Sequence, residues 1–87
     1  MRPDPDPYMG ADPKEKLRRV LEYLKENPYS SATEVHKALK MPINFASGFL
    51  AALYAAGVLK SKKTGYMKLY APTERAGKLL ERLQRRT

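Results

Sequence analysis

The sequence has 87 residues, 43% of them hydrophobic, and a formal net charge of +8 at pH 7. Such a chain suits one compact domain, and it is too short for a catalytic domain with a second covering domain. It contains no cysteine, so we expect neither disulfides nor thiolate metal sites. It also has no apolar run near the ~20 residues of a membrane-spanning helix and no signal-peptide core, so we expect a cytoplasmic protein without membrane contact.

Residues 1–12 form the first predicted segment, an N-terminal arm. Its sequence is rich in Pro and Asp and has no helical periodicity, which predicts a disordered or extended chain. Asp12 and Pro13 then suit the N-cap and the first position of a helix. The folded domain is therefore expected to span residues 13–87.

Two amphipathic helices are predicted next. In the first, apolar residues recur at i, i+3, i+4 and i+7, namely Leu17, Val20, Leu21 and Leu24. Pro28 follows the end of this helix. The second helix begins with a capping box of Ser31 and Glu34, and it ends before Pro42 because Pro disfavours helix in the preceding residue.

A third helix is predicted over about residues 44–56. Asn44 suits its N-cap, and Gly57 suits the left-handed residue that ends it. Helical spacing places one set of residues on its buried side: Ala46, Phe49, Leu50, Leu53 and Gly57. The opposite side holds Asn44, Ser47, Gly48, Ala51 and Ala55. No charged side chain occurs from Pro42 to Leu59.

A basic β-hairpin is predicted over about residues 58–71, with Gly65 in its turn. Thr73 then caps a last helix over about residues 73–85, whose apolar face holds Ala76, Leu79, Leu80 and Leu83. Residues 58–87 contain nine basic and two acidic side chains, so most of the net positive charge follows the third helix. This distribution favours a polyanionic partner, most often nucleic acid.

The order of these elements resembles the winged helix-turn-helix domains of prokaryotic and archaeal transcriptional regulators. The segment ATEVHKALKMPINFASGFLAALYAAGVLK is similar to their short helix, turn and recognition helix. SKKTGYMKLYAPTE resembles the wing, and TERAGKLLERL resembles the helix after the wing in MarR-like and PadR-like regulators. The resemblance covers about residues 14–84. It implies a mostly α fold with a small antiparallel hairpin, in the order α-α-α-β-β-α.

The resemblance also implies that the third helix lies in the major groove of double-stranded DNA. The expected base contacts are Ile43, Asn44, Phe45, Ser47, Gly48 and Ala51. The expected phosphate contacts are Lys40, Lys60, Lys62, Lys63 and Lys68. Since the helix lacks the Arg that usually reads guanine, specificity is expected to depend on apolar contacts and on DNA shape.

Related regulators commonly pair through their first and last helices, so the resemblance implies a homodimer. The expected interface residues are Leu17, Val20, Leu24, Leu79, Leu80 and Leu83. An alternative to DNA binding remains open. The small residues on the third helix also suit a protein-interaction module in which this face receives a partner protein.

Catalysis is not expected. The sequence has no glycine-rich phosphate loop, no nucleophile–base pair and no carboxylate pair on a common face, and its single histidine, His36, lacks partners at metal-ligand spacing. We therefore expect no enzymatic activity, no cofactor and no metal.

Side-chain amides occur only at Asn27, Asn44 and Gln84, beside abundant Lys, Arg and Glu, which is typical of a thermophile.

Overall fold

The computed structural model describes residues 13–85, and the predicted arm over residues 1–12 lies outside them. The elements are α1 (Pro13–Glu26), α2 (Ala32–Leu39), α3 (Ile43–Ala55), β1 (Leu59–Thr64), β2 (Met67–Pro72) and α4 (Glu74–Arg85). The two strands form one antiparallel hairpin. This order confirms the predicted winged helix-turn-helix fold.

The second helix begins as the sequence predicts. The Ser31 hydroxyl accepts a hydrogen bond from the Glu34 N–H at 3.2 Å, and the Glu34 carboxylate accepts one from the Ser31 N–H at 2.9 Å. Toward the other end of α2, His36 is half-buried, and its Nδ1 donates to the Met41 carbonyl oxygen at 2.7 Å. His36 therefore helps to fix the turn between α2 and α3.

The start of α3 differs from the prediction. Pro42 occupies the N-cap position with φ −60° and ψ 144°, and it makes no side-chain capping hydrogen bond. Asn44 lies inside the first turn instead, so its prediction as the N-cap is wrong. The physical reason is that the fixed φ of Pro42 is compatible with an extended residue directly before a helix, so the N-cap lies two positions closer to the N-terminus than predicted.

The end of α3 follows the prediction closely. Gly57 has φ +83°, its N–H donates to the Tyr54 carbonyl at 3.0 Å, and the Val58 N–H donates to the Leu53 carbonyl at 2.9 Å. These two bonds form a Schellman motif, which satisfies carbonyls that the helix end would leave unpaired. The chain then turns directly into β1.

Thr73 connects the end of α3 with the start of α4. Its hydroxyl donates to the Gly57 carbonyl at 2.8 Å and to the Val58 carbonyl at 2.9 Å. Its own carbonyl accepts from the Ala76 N–H at 3.0 Å, in the first turn of α4. Thr73 thus directly precedes α4, and its side chain bonds to the end of α3.

The core is shared by all the helices and the hairpin. Its buried apolar side chains include Val20, Leu21, Leu24, Val35, Met41, Ala46, Leu50, Leu53, Val58, Leu59, Tyr70, Ala76 and Leu80. The sequence assigned three of these to a dimer interface, but Val20 and Leu24 are 0% exposed and Leu80 is 5% exposed. That assignment is wrong because a domain this small needs these side chains for its own core.

Candidate nucleic-acid interface

One face of α3 is exposed and carries small or polar side chains. Asn44, Ser47, Gly48, Ala51 and Ala55 all lie on it, as helical spacing predicts. The face is exposed because the opposite side of the helix packs into the core. A Cβ atom added to Gly48 would meet nothing within 4 Å, so packing inside the chain does not require glycine there.

An open groove of about 480 Å³ runs between this face and the hairpin, and we call it the interface groove. Its walls come from the start of α2, from α3 and from the hairpin. The residues that line it are Ser31, Ala32, Thr33, Ser47, Ala51, Lys63, Tyr66, Met67, Lys68 and Tyr70. Two of the predicted base contacts and two of the predicted phosphate contacts are therefore brought together.

Lys63 and Lys68 are direct partners in the register of the hairpin, and we call them the wing lysine pair. Opposed residues of an antiparallel pair share one face of the sheet, so both side chains stand on the face that lines the groove. Like charges directly opposite each other destabilise a hairpin. A bound anion would offset that repulsion.

Lys60 and Lys62 lie on the opposite face of the hairpin, because side chains alternate along β1. The Nζ atom of each lies 5.9 Å from the centre of the Tyr29 ring. Lys40 is exposed in a left-handed conformation at the end of α2, and it does not line the interface groove. The five predicted phosphate contacts therefore do not form one surface.

Phe45 differs from the other predicted base contacts. It is half-buried, and its ring stacks on Phe49 with the ring centres 5.4 Å apart. Lys16 of α1 covers the Phe45 ring, with Nζ 5.0 Å from its centre. Since this ring packs against α1 and the core, we leave Phe45 out of the proposed interface. Ile43 is exposed at the start of α3.

Tyr54 belongs to the candidate interface, although the sequence analysis did not include it. It is 50% exposed, and its ring meets Tyr70 of the hairpin edge-to-face with centres 6.5 Å apart. Tyr54 follows Ser47 by seven positions, which places the two residues on the same side of α3. That spacing is the sequence signal that identifies it.

Among residues 13–85, no three His, Asp or Glu side chains are grouped in a way that would hold a metal ion. Within the same residues, every helix is too short or too polar to cross a membrane.

No protein-family model matches the sequence, and no curated protein matches it. Several solved structures are similar to it. A MarR family transcription regulator aligns with 90% of this chain, with 21% identity and a TM-score of 0.74. MepR, a transcription regulator of the Staphylococcus aureus multidrug efflux pump MepA, aligns with 91%, with 17% identity and a TM-score of 0.70. A predicted DNA-binding transcriptional regulator from E. coli aligns with 91%, with 22% identity and a TM-score of 0.67.

These similarities concern the fold. The chain spans 52% of the length of the first of these proteins, 59% of MepR and 79% of the E. coli protein. The aligned part is the same arrangement of helices and hairpin that the sequence predicted.

Proposed function

We propose that this chain binds double-stranded DNA as the DNA-binding domain of a transcriptional regulator. The observation that carries the proposal is the interface groove, in which the uncharged face of α3 adjoins the wing lysine pair. In the proposed complex, α3 enters the major groove and the wing lysine pair binds phosphates beside it. The names of the similar structures support this function, since all three are described as transcription regulators.

The side chains on α3 agree with such a complex. The major groove is about 12 Å wide and admits one helix, and a helix with small side chains approaches the base edges closely. Asn44 pairs well with adenine, and Ser47 suits either a base or a phosphate. Since phosphate contacts carry most of the affinity and little sequence information, this domain would select its site by a few polar contacts and by DNA shape.

We also propose that two copies act together. Leu17 of α1, with Leu79 and Leu83 of α4, remains only partly buried at the edge of the core. A second copy would cover these side chains and present two α3 helices to one duplex. Half-sites for such a pair would be about one helical turn, ~34 Å, apart.

A protein partner is the alternative function. The uncharged face of α3, with Gly48 and Ala51 open to close approach, also suits the docking of a partner helix. This alternative would make the wing lysine pair a solvated part of the hairpin. The two functions differ in their dependence on salt.

The test is the affinity for a labelled duplex of mixed sequence at several salt concentrations. We expect tight binding at low salt that weakens as a power of the salt concentration, because each neutralised phosphate contributes about 0.9 to the slope. Replacing both wing lysines, Lys63→Gln with Lys68→Gln, should lower the slope by about two units. A matched control, Lys25→Gln with Lys78→Gln, removes the same charge from α1 and α4 and should leave the slope unchanged. An absence of binding at low salt would contradict DNA binding and favour the protein partner.

A further inference from the structure

A basic cleft lies between the end of α3 and one side of α4, and it shares no lining residue with the interface groove. It has an open volume of about 390 Å³, and we call it the α4 cleft. The residues that line it are Ala56, Val58, Arg75, Lys78, Leu79 and Arg82. Its three cations are exposed, whereas Leu79 is half-buried and Val58 is buried. The cleft therefore combines a positively charged rim with an apolar floor.

The cations of the cleft have no acidic partner among the described residues. Arg75 donates from Nη1 to the Ala56 carbonyl oxygen at 3.0 Å, which places its guanidinium at the end of α3. Lys78 and Arg82 pair with no carboxylate of residues 14–83. These two residues are four positions apart and therefore lie on the same side of α4. Like charges at this spacing destabilise a helix, and a bound carboxylate would offset their repulsion.

The N-terminal arm joins the folded domain near one end of this cleft. Lys16, close to the start of α1, has its Nζ 5.0 Å from the centre of the Phe45 ring at the start of α3. The second half of α1, with Leu21 and Lys25, lines a small cavity together with the first half of α4. The start of α1 therefore lies toward the end of α4, where Arg82 is.

The sequence of the arm matches the cleft in charge and in length. Residues 1–12 contain one basic and three acidic side chains, namely Arg2, Asp4, Asp6 and Asp12. An extended chain from Asp4 to Asp12 spans ~26 Å. The two ends of α3, at Phe45 and Ala56, are only ~17 Å apart, because a helix rises by ~1.5 Å per residue. The acidic part of the arm is thus long enough to reach along the cleft.

The spacing of two aspartates also matches that of two cations. Asp4 and Asp6 each precede a proline, which favours an extended backbone, and two extended residues advance by ~7 Å. Lys78 and Arg82 are ~6 Å apart along α4. Since the prolines already restrict the arm, less conformational entropy is lost when it binds.

We propose that the N-terminal arm of this chain docks in the α4 cleft, with an aspartate on each of these two cations and Pro5 over Leu79. Asp6 is closer to α1 and therefore meets Arg82. Because the arm is joined to the domain, its effective concentration at the cleft is high, so it needs fewer contacts than a separate acidic protein. The inference goes beyond the proposed function, since it concerns a surface outside the interface groove and its test uses no DNA.

The test uses the full chain with one nitroxide label. The sequence has no cysteine, so Pro3→Cys provides a single labelling site beside Asp4. In an NMR spectrum the label broadens the amide signals of residues near it. We expect the strongest broadening at Gly57, Arg75 and Lys78, and weaker broadening at the start of α1.

Variants of the cleft test the ionic contacts. Lys78→Gln with Arg82→Gln should abolish the broadening at the cleft. A matched control, Lys25→Gln with Lys37→Gln, removes the same charge from exposed positions of α1 and α2 and should leave it unchanged. Arg82→Asp alone should also abolish it, and Arg82→Asp with Asp6→Arg should restore it. Thermal unfolding of each variant checks that the domain remains folded.

Two patterns of broadening would overturn the inference. Broadening confined to the starts of α1 and α3 would mean that the arm is not docked. Broadening at Ser47 and Lys68 would mean that the arm lies in the interface groove instead. Strong broadening at the cleft that disappears in the double glutamine variant supports the inference.

A mixing experiment shows which copy supplies the arm, because Leu79 also belongs to the proposed dimer contact. Chains that carry the nitroxide but no isotope are mixed with isotope-labelled chains that carry no nitroxide. Unbroadened signals in the mixture support docking of the chain's own arm. Broadening at the cleft in the mixture would assign the arm to a second copy and overturn the inference.

Discussion

Gly48 occupies the middle of α3 without a packing reason inside the chain, since a Cβ atom there would meet nothing within 4 Å. Glycine inside a helix costs roughly 0.5–1 kcal/mol relative to alanine. We therefore expect Gly48→Ala to raise the free energy of unfolding by about that amount. The same substitution should weaken DNA binding, because the added methyl group stands between α3 and the base edges. Urea unfolding and duplex titration measure the two effects.

Gly77 offers a matched control for this prediction. It lies on an exposed position of α4, and a Cβ atom there also meets nothing within 4 Å. Gly77→Ala should stabilise the domain to a similar degree and leave DNA affinity unchanged. If Gly48→Ala stabilises the domain and also leaves affinity unchanged, then α3 does not approach DNA closely.

The hairpin illustrates a conflict between stability and binding at the scale of an element. In Lys68→Glu, the residue opposite Lys63 changes from a like charge to an opposite charge, which should stabilise the hairpin by roughly 0.2–1 kcal/mol. DNA affinity should fall strongly, since a carboxylate would then face the phosphates. Thermal unfolding and the salt titration would show the two effects with opposite signs. A variant that binds DNA as well as the wild type would exclude Lys68 from the interface.

The sequence predicts some features of the helices and strands well and others poorly. The capping box of Ser31 and the stop at Gly57 depend on interactions within a few residues, so local patterns predicted them. The N-cap of α3 is harder to predict, because Pro42 serves both to end α2 and to precede α3. The contact of Tyr29 with Lys60 joins residues far apart in the chain and depends on the pairing of Ser30 with β2, which no local spacing reveals.

At the scale of the whole molecule, apolar side chains can be covered either by the core or by a partner chain. Periodicity predicted which residues face inward, but it could not divide them between the core and a partner. Val20 and Leu24 proved to be core residues, whereas Leu83 is only partly buried. A pattern of apolar residues shows that a face is covered, and only the packed structure shows by what.

The proposed homodimer gives the prediction that belongs to this scale. Sedimentation equilibrium at micromolar concentration should give a mass of two chains for the wild type and of one chain for Leu83→Lys. Leu24→Ala is the contrasting variant, because Leu24 lies in the core and not at the proposed interface. The cavity that it leaves should lower the free energy of unfolding by about 2–5 kcal/mol. A mass of one chain for the wild type would contradict the dimer.

The hydroxyl of Thr73 affects how the proposed homodimer would select the spacing of its two DNA half-sites. Its two bonds join the end of α3 to the residue directly before α4, which should limit how far these two helices shift relative to each other. A dimer joined through α4 would then hold its two α3 helices at a nearly constant distance from each other. It would discriminate between operators by the number of base pairs separating their halves, even where individual bases are read only weakly.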